Sequence, residues 1–359
     1  MKYCILGAGL MGKAIAYDLL LQDDTKKVIL IDNNVEAIHE LPLQDNSRLQ
    51  KIILDIKQTK ELKKILQDIN VVISAIHYAF NLETTKLAIQ TKTSMCDLGG
   101  NSSVVDEQLK LNEEARKANI LIIPDCGLAP GMVSVLVKWG IEKFAWCDTV
   151  KIRVGGLPQN PQGKLKYERL FSVDGLINEY IEPVRILKNG EIKIIEPLAE
   201  TEDIEFANVE ACRGMPLEAF TTSGGTSTLV DTYKGRLKNL DYKTIRYKGH
   251  CEAIKELQKN SQFTKEYFER NLPICRNDIT LVKIIFEGSG KKHELEIIDY
   301  AQNGFTSMMR MTAFPVSIIA QMLAREHIKE KGVLPQEKCV PVDLFISELK
   351  KREIKILGI

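Results

Sequence analysis

Apolar residues in the first third of the chain fall in short unbroken runs: KYCILGAG, KKVILID, LQKIILDI, NVVISAI, SMCDL and NILIIPD. Between them lie stretches of helical spacing or composition, among them MGKAIAYDLL, KELKKILQD, NLETTKLAIQ and EQLKLNEEARKA. Strands apolar throughout must be covered on both faces, and their alternation with helices predicts a doubly wound parallel sheet. After Pro130 the pattern shifts to longer β-like segments: VKIRVGGLP, EIKIIEPL, EAFTTSGGTS, YKTIRYKGH, LVKIIFEGSG, HELEIIDYA and SMMRMTAF. KNGEI and EGSGKK carry the residues of tight hairpin turns, so this half predicts a mainly antiparallel sheet with a few helices. Residues 313 to 328 and 343 to 352 read as helices again.

The run CILGAGLMGKAIAYDLL sets Gly7, Gly9 and Gly12 in GxGxxG spacing directly after a strand and at the mouth of a helix. Asp32 follows about twenty residues on, at the end of the second strand. In that context Gly7 makes the tight turn, Gly9 lets the backbone approach a pyrophosphate, and Gly12 allows close packing of helix on strand. The helix N-terminus through Leu10 and Met11 supplies unpaired N–H groups for the anion. Asp32 would accept from the ribose hydroxyls, and its charge, with Asn33 and Asn34 next to it in place of an arginine, favours NAD over NADP. Asp55, ending the third strand, is an adenine-side candidate or a plain solvated carboxylate. Ligands of such sheets bind beyond the carboxyl ends of the strands, which directs the loops Ala75 to Tyr78, with Ile76 among them, Asp97 to Gly100 and Asp125 to Pro130 toward the nicotinamide.

The expected organisation is thus an α/β Rossmann domain over residues 1–127, an α+β domain over 128–312, and C-terminal helices from about 313–359 packing back on the first domain. Composition narrows the function. Lysine plus arginine at 49 against aspartate plus glutamate at 48 leaves a net charge of +1 and no basic footprint for nucleic acid. No apolar run is long enough to span a membrane. The eight cysteines stand singly, without CxxC spacing or a secretory leader, which reads as reduced thiols of a cytoplasmic protein with no metal site.

Four ordered segments carry a resemblance: PDCGLAPGM (124 to 132), FSVDGLINEYIEPV (171 to 184), LEAFTTSGGTSTL (217 to 229) and YKTIRYKGH (242 to 250). Together they resemble the saccharopine dehydrogenase-like family, and within it the lysine 6-dehydrogenases most of all. The resemblance runs from the glycine turn to VPVDLFISELKKREI. It implies a β-rich domain that dimerises and covers the active cleft, with a homodimer or higher homo-oligomer as the assembly. It also implies an amino-acid substrate with nitrogen on the reacting carbon. The lysine enzymes oxidise the side-chain amine of L-lysine with NAD to 2-aminoadipate 6-semialdehyde and ammonia. The saccharopine and carboxynorspermidine enzymes reduce an imine formed from two substrates.

Hydride leaves the ε-carbon of lysine only when the amine is neutral, whereas an ordinary lysine amine has a pKa near 10.4. The imine then needs an activated water. A proton acceptor titrating near neutral is therefore expected, and His250 is the first candidate, with a core histidine the alternative. Asp125, at a strand end before the PGM turn, is the second, as a counter-ion to the amine or as a helix cap. His77, beside the expected nicotinamide, competes with both. Arg246 matches the family motif and suits the α-carboxylate, which a guanidinium grips bidentately. Asp97, Thr222, Thr226, Tyr78 and Tyr167 complete the candidate substrate set, each with a structural alternative. Cys126 reads as a buried hydrophobe, since the reaction needs no covalent intermediate. An imine reductase would need a second grip, with Arg153, Arg169, Arg185 and Arg213 available. An NAD-sensing protein without chemistry is the non-enzyme alternative.

Overall fold

The computed structural model describes residues 1–39, 46–206 and 214–359, so Cys212 and Arg213 lie outside the described residues. The chain divides into two units, Met1–Val135 with Thr312–Arg352, and Leu136–Met311 with Glu353–Ile359. Two of the three divisions fall inside helices, Met132–Lys143 and Ser307–Ala324, and the third follows the helix Val342–Lys351.

In the first unit every predicted strand forms: β1 (Lys2–Leu6), β2 (Lys27–Asp32), β3 (Leu49–Ile53), β4 (Val71–Ser74), β5 (Ser94–Asp97) and β6 (Leu121–Ile123). A short strand, Gly332–Val333, adds to the β6 edge. All pair in parallel, in the order Gly332–Val333, β6, β5, β4, β1, β2, β3. The strand order reverses at β1, which lies between β2 and β4, so ligand chemistry is directed to the carboxyl ends of β1 and β4. Central strands are mainly apolar because both faces are packed: Cys4, Leu6, Ile31, Val72, Met95 and Ile122 join one buried cluster.

The second unit is an eight-stranded sheet. Its strands are β7 (Thr149–Pro158), β8 (Val184–Lys188), β9 (Glu191–Ile195), β10 (Glu202–Ile204), β11 (Leu217–Thr221), β12 (Asn239–Tyr247), β13 (Asp278–Gly288) and β14 (Lys291–Tyr300). The spatial order is β10, β11, β12, β7, β13, β14, with β8 and β9 attached through β12. Only β7 and β12 pair in parallel; the remaining pairs are antiparallel. Both predicted hairpins form, turning at Asn189-Gly190 and Ser289-Gly290, with positive φ at all four residues, as type I′ turns require. The fold is thus a Rossmann-type parallel sheet and a second, mostly antiparallel one.

One segment departs from expectation. SMMRMTAF is not a strand; it begins the helix Ser307–Ala324. The Asp278 carboxylate accepts from Ser307 N at 2.5 Å and Met308 N at 2.8 Å, satisfying first-turn donors from a position remote in sequence. The tail Glu353–Ile359 also separates from the helices before it, because Leu357 exchanges backbone hydrogen bonds with Glu296 of β14.

Candidate cofactor and substrate sites

The three glycines of the first turn differ in what a side chain there would meet. Gly7 has φ of 102°, and a Cβ there would lie 2.6 Å from the Ala75 carbonyl oxygen. A Cβ on Gly12 would lie 1.8 Å from the Gly7 oxygen, so this position sets how closely helix and strand pack. A Cβ on Gly9 would meet nothing within 4 Å. Gly9 is the N-cap of the helix Leu10–Leu20, which has no side-chain cap and no acid in its first turn. Its leading N–H groups, near exposed Leu10 and half-buried Met11, therefore suit an anion.

Asp32 sits at the end of β2, its Oδ2 accepting from Ala8 N at 2.7 Å and its Oδ1 from Asn34 N at 2.8 Å. The carboxylate pins the glycine turn and keeps lone pairs for ribose hydroxyls. Asn34 is occupied capping Glu36 N and Ala37 N, at 2.9 and 3.2 Å. The turn, the open Gly9 and the carboxylate fit a dinucleotide. Asp55 follows β3 and accepts from Lys57 N at 2.9 Å, while Ala75 and Ile76 follow β4, half-buried, with Ala75 N bonded to Leu6 O.

Beyond β5 and β6 the structure joins Asp97 and Asp125. Asp97 is fully buried; its Oδ1 accepts from Gly99 N at 2.8 Å and Asp125 N at 3.1 Å, and its Oδ2 from Gln108 at 2.8 Å. Burial holds its pKa above the ordinary range against these bonds. Asp97 therefore shapes the loop that carries Asp125. Asp125 is 4% exposed, has φ of 60°, and packs its carboxylate where a Gly99 Cβ would stand, 1.7 Å from Oδ1. Gly100 serves Tyr78 in the same way, with a Cβ there 2.9 Å from Tyr78 Cδ1. His77 is exposed, its Nδ1 accepting from Ala79 N and its ring 4.2 Å from that of Tyr78. Cys126 is buried with its thiol on Ile123 O, and burial pushes its pKa well up.

In the second unit, the residues 242, 244 and 246 of β12 share one face, following the period of two. Arg246, 2% exposed, extends over the Tyr167 ring with Cζ 4.6 Å from its centroid. Its Nε donates to the Tyr180 hydroxyl at 3.2 Å, Nη1 to Ile245 O at 2.9 Å, and Nη2 to Glu179 Oε2 at 3.2 Å. His250 stands 3.0 Å from the same Tyr180 hydroxyl through Nε2 and 2.7 Å from Leu165 O through Nδ1. The helix Val173–Ile181 brings Glu179 and Tyr180 to this cluster.

The expected near-neutral titration is not at His250. Burial and the nearby Arg246 push its pKa down to about 3, so the ring stays neutral. Glu179 is the group near 7: burial raises it to about 7 while Arg246 pulls it down. Sequence reasoning passed over Glu179, although FSVDGLINEYIEPV contains it; a carboxylate beside Tyr180 in that segment was the available signal.

The remaining candidates are tied into the unit. Thr222 shares a hydrogen bond with Thr244 at 2.7 Å, and Thr226 donates to Arg185 O at 2.9 Å. Gly225 lies against the Tyr242 ring, its Cβ position 2.3 Å from Cγ, so TTSGGTS is a packed turn. Arg153, on the other side of the sheet pattern with Asp241 and Lys243, pairs with Asp241 and Glu202. Arg185 pairs with Asp231 at 2.8 Å, and Arg169 bonds through its backbone to Pro273 and Cys275. Among the described residues no helix is long and apolar enough to cross a membrane.

Known proteins share this architecture. The profile for the saccharopine dehydrogenase NADP binding domain matches residues 3–123, and that for the saccharopine dehydrogenase C-terminal domain matches residues 127–354. Saccharopine dehydrogenase (NADP(+), L-glutamate-forming) of Saccharomyces cerevisiae is 27% identical over 263 residues, 70% of this chain and 56% of that protein. Alpha-aminoadipic semialdehyde synthase of Arabidopsis thaliana is 24% identical over 238 residues, 61% of this chain and 21% of that one. The chain thus spans about half or less of the length of these relatives. Apo saccharopine dehydrogenase (L-Glu forming) from Saccharomyces cerevisiae superposes with a TM-score of 0.79 at 18% identity, covering 100% of this chain and 99% of that one. Homospermidine synthase from Legionella pneumophila in complex with NAD gives 0.72 at 12% identity, covering 99% and 90%. With both profiles matched in order across almost its whole length, the chain belongs to the saccharopine dehydrogenase family.

Proposed function

We propose that this protein catalyses the NAD-dependent oxidative deamination of the side-chain amine of L-lysine to 2-aminoadipate 6-semialdehyde, releasing ammonia. The observation that carries this reading is the single buried guanidinium of the aromatic cluster, Arg246, set against Tyr167, Tyr180 and Glu179. One such cation suits one α-carboxylate. An imine reductase joining two substrates needs further grips, and Arg153 and Arg185 are bound to carboxylates elsewhere.

Bound NAD supplies the hydride acceptor. The chain's own residues do the rest. Gly7, Gly9 and Gly12 with Leu10 and Met11 present the backbone to the pyrophosphate, and Asp32 holds the ribose and repels a 2′-phosphate. That charge argument supports NAD within a family whose nucleotide domain is described by NADP and whose yeast relative uses NADP(+). Arg246 holds the α-carboxylate, and Tyr180 and neutral His250 hold Arg246 in place. Asp125 receives the proton that the amine must lose, its orientation set by Asp97 and Gly99. The reading carries with it a cytoplasmic homodimer with an amino-acid ligand. Arg246→Ala tests it: the KM for lysine should rise far more than that for NAD, and an unchanged lysine KM removes Arg246 from substrate binding.

A further inference from the structure

The Arg246–Glu179 contact is unlike the buried Asp299–Arg310 pair of the same unit. Asp299 and Arg310 are each 4% exposed in their side chains, and both oxygens of Asp299 accept from Arg310, at 3.1 to 3.3 Å. Ser307 adds a further bond to that carboxylate at 2.8 Å. Such a pair is closed. Glu179 offers one oxygen, Oε2, at 3.2 Å, and its side chain keeps 25% of its exposure while Arg246 keeps 3%. Its Oε1 accepts no hydrogen bond from the described residues. Arg246 has five N–H groups and commits three of them, leaving one on each terminal nitrogen.

The open remainder of this pair is therefore one acceptor and two donors, of opposite charge, a few ångströms apart. A lone carboxylate drawn to Arg246 would meet the negative charge of Glu179. A lone ammonium drawn to Glu179 would meet Arg246. The α-carbon head of a free amino acid carries both charges on one carbon and satisfies both ends. Tyr167 under the guanidinium and Tyr180 beside it lower the local dielectric, which strengthens each contact.

We propose that Glu179 receives the α-ammonium of the substrate while Arg246 receives its α-carboxylate, making this pair the determinant of selection for a free α-amino acid. The inference rests on the amino-acid reading given above and assigns the part of the substrate that does not react.

The test is calorimetric titration of the full-length protein in the presence of NADH with L-lysine, 6-aminohexanoate and 1,5-diaminopentane. The second ligand lacks the α-ammonium and the third lacks the α-carboxylate. The wild type should bind L-lysine about tenfold or more tightly than either, the scale of a charged hydrogen bond. Glu179→Gln keeps a neutral partner for Arg246 and removes the charge that opposes a lone carboxylate; it should lower L-lysine affinity and raise that of 6-aminohexanoate until the two are alike. Glu179→Asp should restore part of the preference. Equal losses for L-lysine and 6-aminohexanoate in Glu179→Gln, or no loss for either, would overturn the assignment while leaving lysine as substrate. A wild type that binds neither would overturn the lysine reading and this inference together.

Discussion

The Nε2 atom of His250 lies 3.0 Å from the Tyr180 hydroxyl, and its Nδ1 lies 2.7 Å from the carbonyl of Leu165. A carbonyl only accepts, so Nδ1 carries the ring proton, Nε2 accepts from Tyr180, and the Tyr180 oxygen accepts from Arg246 Nε at 3.2 Å. The order of donors leaves no place for a second proton on the ring, in line with its lowered pKa.

That arrangement predicts a pH signature of stability. With a pKa of about 3 in the fold against an ordinary 6.5, the unfolded chain binds a proton between those values that the folded chain refuses. Unfolding free energy should therefore fall as pH drops through this window, by at most about 1.4 kcal/mol per unit from this group. Glu179 works in the other direction: raised from 4.5 to about 7, it contributes stability at low pH that is lost as pH rises through 7. Denaturant midpoints measured in half-unit pH steps should show a flatter acid limb in His250→Gln and a flatter decline from 4.5 to 7 in Glu179→Gln. An unchanged acid limb in His250→Gln would contradict the neutral, buried ring.

The glycines of the first turn should separate folding from cofactor binding. Gly9 has φ of −70° and open space at its Cβ position, so Gly9→Ala should keep its thermal midpoint and lose most of its NAD affinity. Gly12→Ala places a methyl 1.8 Å from the Gly7 oxygen and should lower the thermal midpoint itself. Thermal unfolding with and without NAD reads both. Equal thermal loss in the two variants would mean that the open face of Gly9 is a packing surface.

Asp32 is bonded to Ala8 N and Asn34 N, and in the proposed reading it also holds the ribose. Asp32→Ser should weaken NAD by about tenfold, the scale of a charged hydrogen bond, and shrink the preference for NAD over NADP. Fluorescence titration of the reduced cofactors measures the ratio. A preference that survives the change would locate cofactor selection elsewhere.

The first unit is held at its C-terminal side by a buried charge. Asp18 accepts from Arg352 Nε and Nη2 at 2.7 and 2.9 Å, from Ser317 at 2.6 Å and from Gln321 at 3.0 Å. Arg352→Met leaves that carboxylate buried without its counter-charge and should cost about 3–5 kcal/mol. The double variant Asp18→Asn, Arg352→Met should recover part of the loss in urea unfolding. If the double variant is no more stable than the single, Asp18 is not the group made costly by removing Arg352.

What could be read from the sequence was whatever is encoded locally. The strands β1 to β6, the glycine turn and the hairpins at Asn189-Gly190 and Ser289-Gly290 each depend on a pattern within a few residues. The helical start at Ser307 depends on the Asp278 carboxylate, and the short strand Gly332–Val333 on the edge of β6. The character of His250 depends on Leu165, 85 residues away, and on Tyr180. Glu179 acquires its setting only when the helix Val173–Ile181 meets Arg246 of β12. Residues named from type and neighbourhood, such as Asp97, Thr222 and Thr226, proved to be tied to internal partners that only the fold supplies.

Formation of NADH by the purified protein at alkaline pH, followed by absorbance over L-lysine, saccharopine, ornithine, diamines and L-alanine with NAD and NADP in parallel, is the decisive assay for lysine oxidation. Turnover is expected with L-lysine and NAD, and little with the other substrates or with NADP. Turnover only with saccharopine, or only in the reductive direction from an aldehyde and an amine, would contradict it, as would NAD binding with no turnover of any of them.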